Sequence, residues 1–219
     1  MIVVVGSPAG RIVDGRVALA GIAAEAARAA AAAGATVQLV GRVGDDPAAD
    51  TLLLGLATAG VGHVAVLRDP TRPTPIADEV DAEGPGEELD PGDPATERAT
   101  AADGPIDLDG GDVDLGLRYL TDFNVLVLVP PATESVARIA IEGARWASAR
   151  LVLVVDHGTP AAVEVPPDAI VLQAPADDPN GAFASVVGRL AAALDAGGSP
   201  EDAFARVVAG AGWSTASGT

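Results

Sequence analysis

The chemistry-bearing stretch of this 219-residue chain is "QAPADDPNGAFASVVGRLAAAL", residues 173–194. It runs from an extended segment through a glycine-bearing turn into an amphipathic helix. The start of such a helix carries unpaired N–H groups and the positive end of the helix dipole, a combination that suits an anion. Asn180, Gly181 and Ala182 are the candidates to hold one. Two carboxylates, Asp177 and Asp178, stand just before them. A capping carboxylate stabilises a helix start by about 0.5–2 kcal/mol and uses the same N–H groups that a phosphate needs. Pro179 has no N–H to offer. The spacing predicts a helix start capped by its own acidic side chains, and therefore a poor seat for a phosphate.

Other reactive side chains are sparse. "LVLVVD", 151–156, reads as a buried strand ending in Asp156 and followed by His157. Ligands of open α/β sheets bind at such carboxyl ends, so Asp156 is a candidate on the substrate side, although a structural turn is the simpler reading. His63 and His157 are the two histidines and do not form a metal-spaced pair, so no metal site is expected. "DLDGGDVD", 107–114, has its glycines out of register with a calcium-binding loop and reads as a solvated acidic turn. Ser7, Ser135 and Ser185 lack a nucleophile-elbow context, and "GSPAG", 6–10, is not a dinucleotide fingerprint. Trp146 and Trp213 read as core or interface fillers.

Composition removes further classes. The absence of cysteine excludes disulfides and thiolate chemistry. All 13 basic residues are Arg, which excludes a P-loop lysine and a Schiff-base lysine. A net charge of −18 argues against nucleic acid or an anionic membrane as partner; a small molecule remains. No signal peptide and no membrane-spanning run is read, so a soluble cytoplasmic protein is expected.

These side chains must be positioned by alternating strands and helices. Strands are expected at 2–6, 36–41, 63–68, 124–129, 151–156 and 168–173. Helices are expected at 17–33 (with Glu25 and Arg28 at i,i+3), 45–60 (Pro47 in its first turn), 133–149 (Thr133 as N-cap), 180–195 and 200–210 (Ser199 as N-cap). The alternation predicts an α/β fold, a three-layer α/β/α arrangement on a mostly parallel sheet with right-handed crossovers. One domain over 1–219 is expected. From 78 to 114 the chain carries 14 acidic residues against one Arg, and reads as an excursion with an edge strand at 75–80 and partial disorder after it.

Within this pattern, "AAAGATVQLVGRVGDDPAADTLLLGLATAGV", 31–61, resembles the N-terminal core of the ribokinase-like, or PfkB, carbohydrate kinases. Gly41–Asp46, "GRVGDD", carries the resemblance, and "GAFASVVGRLAAALDAGGSPEDAFARVVAGAG", 181–212, resembles the family's anion-hole helix and its successor. The resemblance implies a ribokinase-like fold, Mg-ATP as cofactor if the chain is active, and a homodimer of the kind relatives form through their lid strands; because those strands are here reduced to 8–17, a dimer through another face is left open. It also places site residues. The sugar-binding Asp of the family falls on Arg11, with Asp14 nearby but out of register. The Gly-Gly and Ala-Asn pairs at the start of the first long helix fall on Ala20, Gly21, Ala24 and Glu25. Asp45 lies in a segment near the sugar, though Asp45 and Asp46 read more simply as helix caps. The catalytic Asp position holds Gly181. Two readings follow: a degenerate member that has lost sugar phosphorylation and serves as a binding or scaffold protein, or a working carbohydrate or nucleoside kinase that uses Asp178 as a displaced base.

Overall fold

The computed structural model describes residues 1–77, 108–159, 161, 163–176, 178 and 180–210. The expected partial disorder after residue 80, and the positions of Asp177, Pro179 and Trp213, lie outside the described residues. Strand β1 (Ile2–Val5) has all four side chains buried, as a strand covered on both faces must. It lies centrally in a six-stranded sheet with β4 (Val37–Gly44), β5 (Val61–Asp69), β7 (Val125–Leu128), β8 (Arg150–Val155) and β9 (Ile170–Gln173), in the order β5-β4-β1-β7-β8-β9. Every pairing in this sheet is parallel. The order reverses between β1 and β7, which puts a switch-point crevice at their carboxyl ends.

Helices cover both faces. Ile2 and Val4 point into a core shared with α1 (Gly21–Ala32), α2 (Pro47–Thr58), α5 (Ala182–Asp195) and α6 (Pro200–Gly210). Val3 and Val5 point into the other core, shared with α3 (Gly110–Tyr119) and α4 (Glu134–Trp146). The expected three-layer α/β architecture is present. With few aromatics, the first core is built of small side chains: Ala23, Ala24, Ala26, Ala27 and Ala30 of α1 are all buried. The caps at Thr133 and Ser199 form as expected, accepting from Val136 N–H at 3.3 Å and Asp202 N–H at 3.1 Å.

A second sheet of three strands stands over one end of the first. In it β2 (Ala9–Val13) pairs antiparallel with β3 (Arg16–Ala20) and parallel with β6 (Ile76–Ala77). The expected edge strand near 75–80 is thus part of the lid.

Three expectations are corrected. The helix expected at 17–33 begins only at Gly21, because Arg16–Ala20 pair with β2. The acidic turn expected at 107–114 is the start of α3. There Asp109 accepts from Asp112 N–H at 2.9 Å, and Asp112 accepts from Asp109 N–H at 3.2 Å, a reciprocal cap that starts a helix. Leu108 and Val113 are buried behind it. Of the two places read for Trp146, core or interface, the core is ruled out: it ends α4 with 81% of its surface exposed.

Candidate functional site

Strand β8 ends at Val155, and β9 ends at Gln173, one residue before Ala174. Past these carboxyl ends lie Asp156 on one side and Ala174, Asp178 and Gly181 on the other. β2 of the lid and the first turn of α1 close over them. The partly open cavity, about 290 Å³, is lined by Arg11, Gly21, Glu25, Asp156, Asp178 and Gly181, with small apolar residues between. A neighbouring groove of about 610 Å³ lies between β9, α5 and α6, lined among others by His157, Asp178, Asn180, Ala182 and Phe204. Asp178 belongs to both.

The local fold explains each placement. Gly21 opens α1 at φ +77°, and Gly181 precedes α5 at φ +64°, a left-handed backbone that favours glycine. Gly181 brings the chain into the helix without a side chain of its own to cap it. The cap comes from further back. The two Asp178 carboxylate oxygens accept from Phe183 N–H at 3.1 Å and from Ala184 N–H at 3.0 Å. Asp178 therefore sits on the helix start as its sequence position predicts, although α5 itself begins at Ala182 rather than at 180. The carboxylate thus takes two N–H groups of the first helical turn just beyond the Asn180–Ala182 run read from the sequence, and within that run Gly181 N–H donates to the Asp178 carbonyl oxygen at 3.0 Å.

Glu25 is buried, with 9% of its surface exposed. Arg28, one helical turn on, grips its Oε2 through Nε at 2.9 Å and through Nη2. The i,i+3 spacing puts the pair on one face of α1. Sequence reading named Glu25 both as a helix partner of Arg28 and as a substrate-side candidate, and Glu25 lines the cavity.

Asp14 and Asp45 are not among the residues lining this cavity. Asp14 is exposed at the tip of the β2–β3 hairpin, at φ +50°. Asp45 faces Arg68 at 3.3 Å. Its neighbour Asp46 makes a joint instead. Asp46 caps α2 through Ala49 N–H at 2.8 Å, and accepts from Thr74 N–H at 2.7 Å and from the Thr74 hydroxyl at 2.8 Å. Gly44 N–H donates back to the same hydroxyl at 3.0 Å. Thr74 leads into β6, so this joint ties the lid to the main sheet. Burial is the largest influence on Asp46 and pushes its carboxyl up. The hydrogen bonds from Thr74 and from the Ala49 and Ala48 N–H groups together outweigh it and hold the carboxyl below the usual aspartate range. Asp69 is also held low, mainly by the hydroxyl and N–H of Thr71 and further by Arg42. Arg42 bonds Asp112 of α3 at 2.8 Å. "GRVGDD" is thus a structural junction between strand, lid and both helical layers.

Among known proteins, residues 5–96 match the pfkB family carbohydrate kinase profile. No curated protein sequence matches this chain. Solved structures match over nearly its whole length. The structure of Sa239 is 14% identical, covers 99% of this chain and 95% of its own, and superposes with a TM-score of 0.70. Arabidopsis thaliana ribokinase, complexed with ribose and ATP, is 16% identical over 96% and 90% of the two chains, with a TM-score of 0.64. A PfkB protein from Polaromonas sp. JS666 is 15% identical over 94% and 92%, also with a TM-score of 0.64.

The fold is ribokinase-like. Strand order, lid sheet and the pfkB match over the first part of the chain agree with the resemblance carried by Gly41–Asp46. Three positions at which the resemblance would place polar site residues, Arg11, Glu25 and Gly181, are far apart along the chain, yet all three line the one cavity. The departures therefore fall together in space: a cation, a longer acid and a bare backbone meet where the pattern has an aspartate, an asparagine and an aspartate. Among the described residues, no helix is long and apolar enough to cross a membrane.

Proposed function

We propose that this ribokinase-like chain binds a small molecule in the cavity under its lid and does not transfer phosphate to it. The observation that carries this reading is the Asp178 carboxylate on the Phe183 and Ala184 N–H groups. Phosphoryl transfer needs donors aimed at developing negative charge and a base within hydrogen-bond reach of the attacking hydroxyl. At the start of α5 the Phe183 and Ala184 N–H groups are taken by the Asp178 carboxylate and the Gly181 N–H by the Asp178 carbonyl at 3.0 Å, which counts against the first requirement, and position 181 carries no side chain for the second. One structural neighbour, from E. coli, is in complex with ATP and Mg²⁺. The residues present here do not fit that cofactor while Asp178 keeps its place.

Calorimetric titration with ATP and Mg²⁺ tests the reading. The wild-type chain is expected to give no binding at millimolar nucleotide. The Asp178→Ala variant, which frees two N–H groups and removes a negative charge, is expected to gain measurable affinity for ATP or inorganic phosphate. Phosphoryl transfer by the wild type to any member of a sugar and nucleoside panel overturns the reading.

The position of Asp178, lining both the cavity and the adjoining groove, favours one competing reading: a working carbohydrate or nucleoside kinase whose base is Asp178. It requires the carboxylate to leave the helix start before each turnover. It predicts wild-type turnover that Asp178→Asn abolishes.

A further inference from the structure

A side chain added at Gly181 would point at Glu25. A Cβ built there lies 3.5 Å from Glu25 Cγ, 3.5 Å from its Cδ and 3.7 Å from Oε2. The backbone at 181 has φ +64°, so the direction is set by the turn that starts α5. Glu25 reaches the same corner from α1, buried and held by Arg28. An aspartate at 181 would set a second carboxylate within about 5 Å of the first, inside a cavity, where like charges cannot both stay ionised cheaply.

We infer that positions 25 and 181 form an exclusive pair: this corner of the cavity holds one acidic side chain, Glu25 supplies it from α1, and residue 181 must then be uncharged. Glu25 is accordingly one of the acceptors the cavity presents, beside Asp156 and Asp178, and it favours ligands that bring a hydrogen-bond donor. The inference rests on reading the cavity as a small-molecule site. Its test reads stability and needs neither nucleotide nor turnover, so the two ideas fail separately.

The test compares Asn with Asp at 181. Both tolerate a left-handed backbone better than other non-glycine residues and have nearly the same shape, so the change in their difference between backgrounds reports the coupling to the Glu25 carboxylate. Each is placed in the Glu25 and the Glu25→Gln background, and thermal midpoints are measured at pH 7. With Glu25 present, Gly181→Asp is expected to melt about 3–5 °C below Gly181→Asn, the scale of a conflict of one to two kilocalories in a chain of this size. With Glu25→Gln, the deficit of Asp relative to Asn should shrink by that amount. The four-way comparison cancels the loss of Arg28's partner, which both proteins carrying Glu25→Gln share. If Gly181→Asp fails to fold alone but folds with Glu25→Gln, the pair is confirmed. Equal midpoints for Asp and Asn beside Glu25 overturn it, as does an Asp variant that unfolds in both backgrounds while the Asn variants fold.

Discussion

A single carboxylate can hold several elements together, and Asp46 is the clearest case. It bonds an N–H of α2 and both the N–H and the hydroxyl of Thr74. Truncation leaves three donors without their acceptor. Losing the cap costs on the order of 1 kcal/mol and losing the Thr74 bonds a similar amount, so Asp46→Ala is expected to lose about 2 kcal/mol in urea denaturation. Because the folded carboxyl is held below its ordinary value of 3.8, its contribution is fully present above that value. It is lost as pH falls through the lower folded value. The Asp46→Asn variant should therefore show a shallower fall in stability below about pH 4 than the parent. Parallel acid limbs in the two proteins would show that Asp46 does not stabilise the folded state in this way. Asp46 and Asp178 were both legible as caps because a helix start has few ways to satisfy its N–H groups. Their actual acceptor geometry was not. Asp178 reaches five and six residues forward across a left-handed glycine, and Thr74 lies 28 residues from Asp46 in sequence.

At the scale of elements, α1 and α5 set the cavity's dimensions by how closely they approach. Gly188 is the contact point. A Cβ there would run into the Ala26 carbonyl oxygen and lie 2.8 Å from the Ala29 Cβ. Alanine is the better helix former by about 0.8–1.0 kcal/mol, so an unconstrained Gly188→Ala change would stabilise. Here overpacking, typically about 1–3 kcal/mol, is expected to win, and the variant should melt below the parent. A higher midpoint would mean that the two helices separate without penalty. The elements that sequence patterning missed have physical reasons in common. β3 lies in "RVALA", where alanine blurs the difference between periods of two and 3.6, and only pairing with β2 decides. α3 hides in an acidic, glycine-rich stretch whose average composition argues for solvent. Its Asp109–Asp112 cap and the apolar spacing of Val113 and Leu117 were the signals available. β1, β7 and β8 were plain because a run of four or more branched apolar residues has no stable place except between two layers.

For the whole molecule, charge is the dominant surface property. With 31 acidic residues against 13 basic ones, self-repulsion opposes the compact state and is screened by salt. Raising NaCl from about 10 mM to 0.5 M shortens the screening length roughly sevenfold and is expected to raise the melting temperature by several degrees. A flat or falling salt response would show that local ion pairs such as Arg42–Asp112 outweigh the net field. The same net charge disfavours long-range approach of a polyanionic ligand.

Ala20, the last residue of the lid hairpin, is bonded directly to Gly21, the first of α1, with no loop between them. A hairpin continuous with a helix cannot tilt on its own; it pivots at Gly21 or carries α1 along. One helical turn further on is Glu25, and α1 in turn leans on α5 at Gly188. A guest that presses on the lid is thus felt at the acidic corner and at the neighbouring helix by mechanical leverage alone.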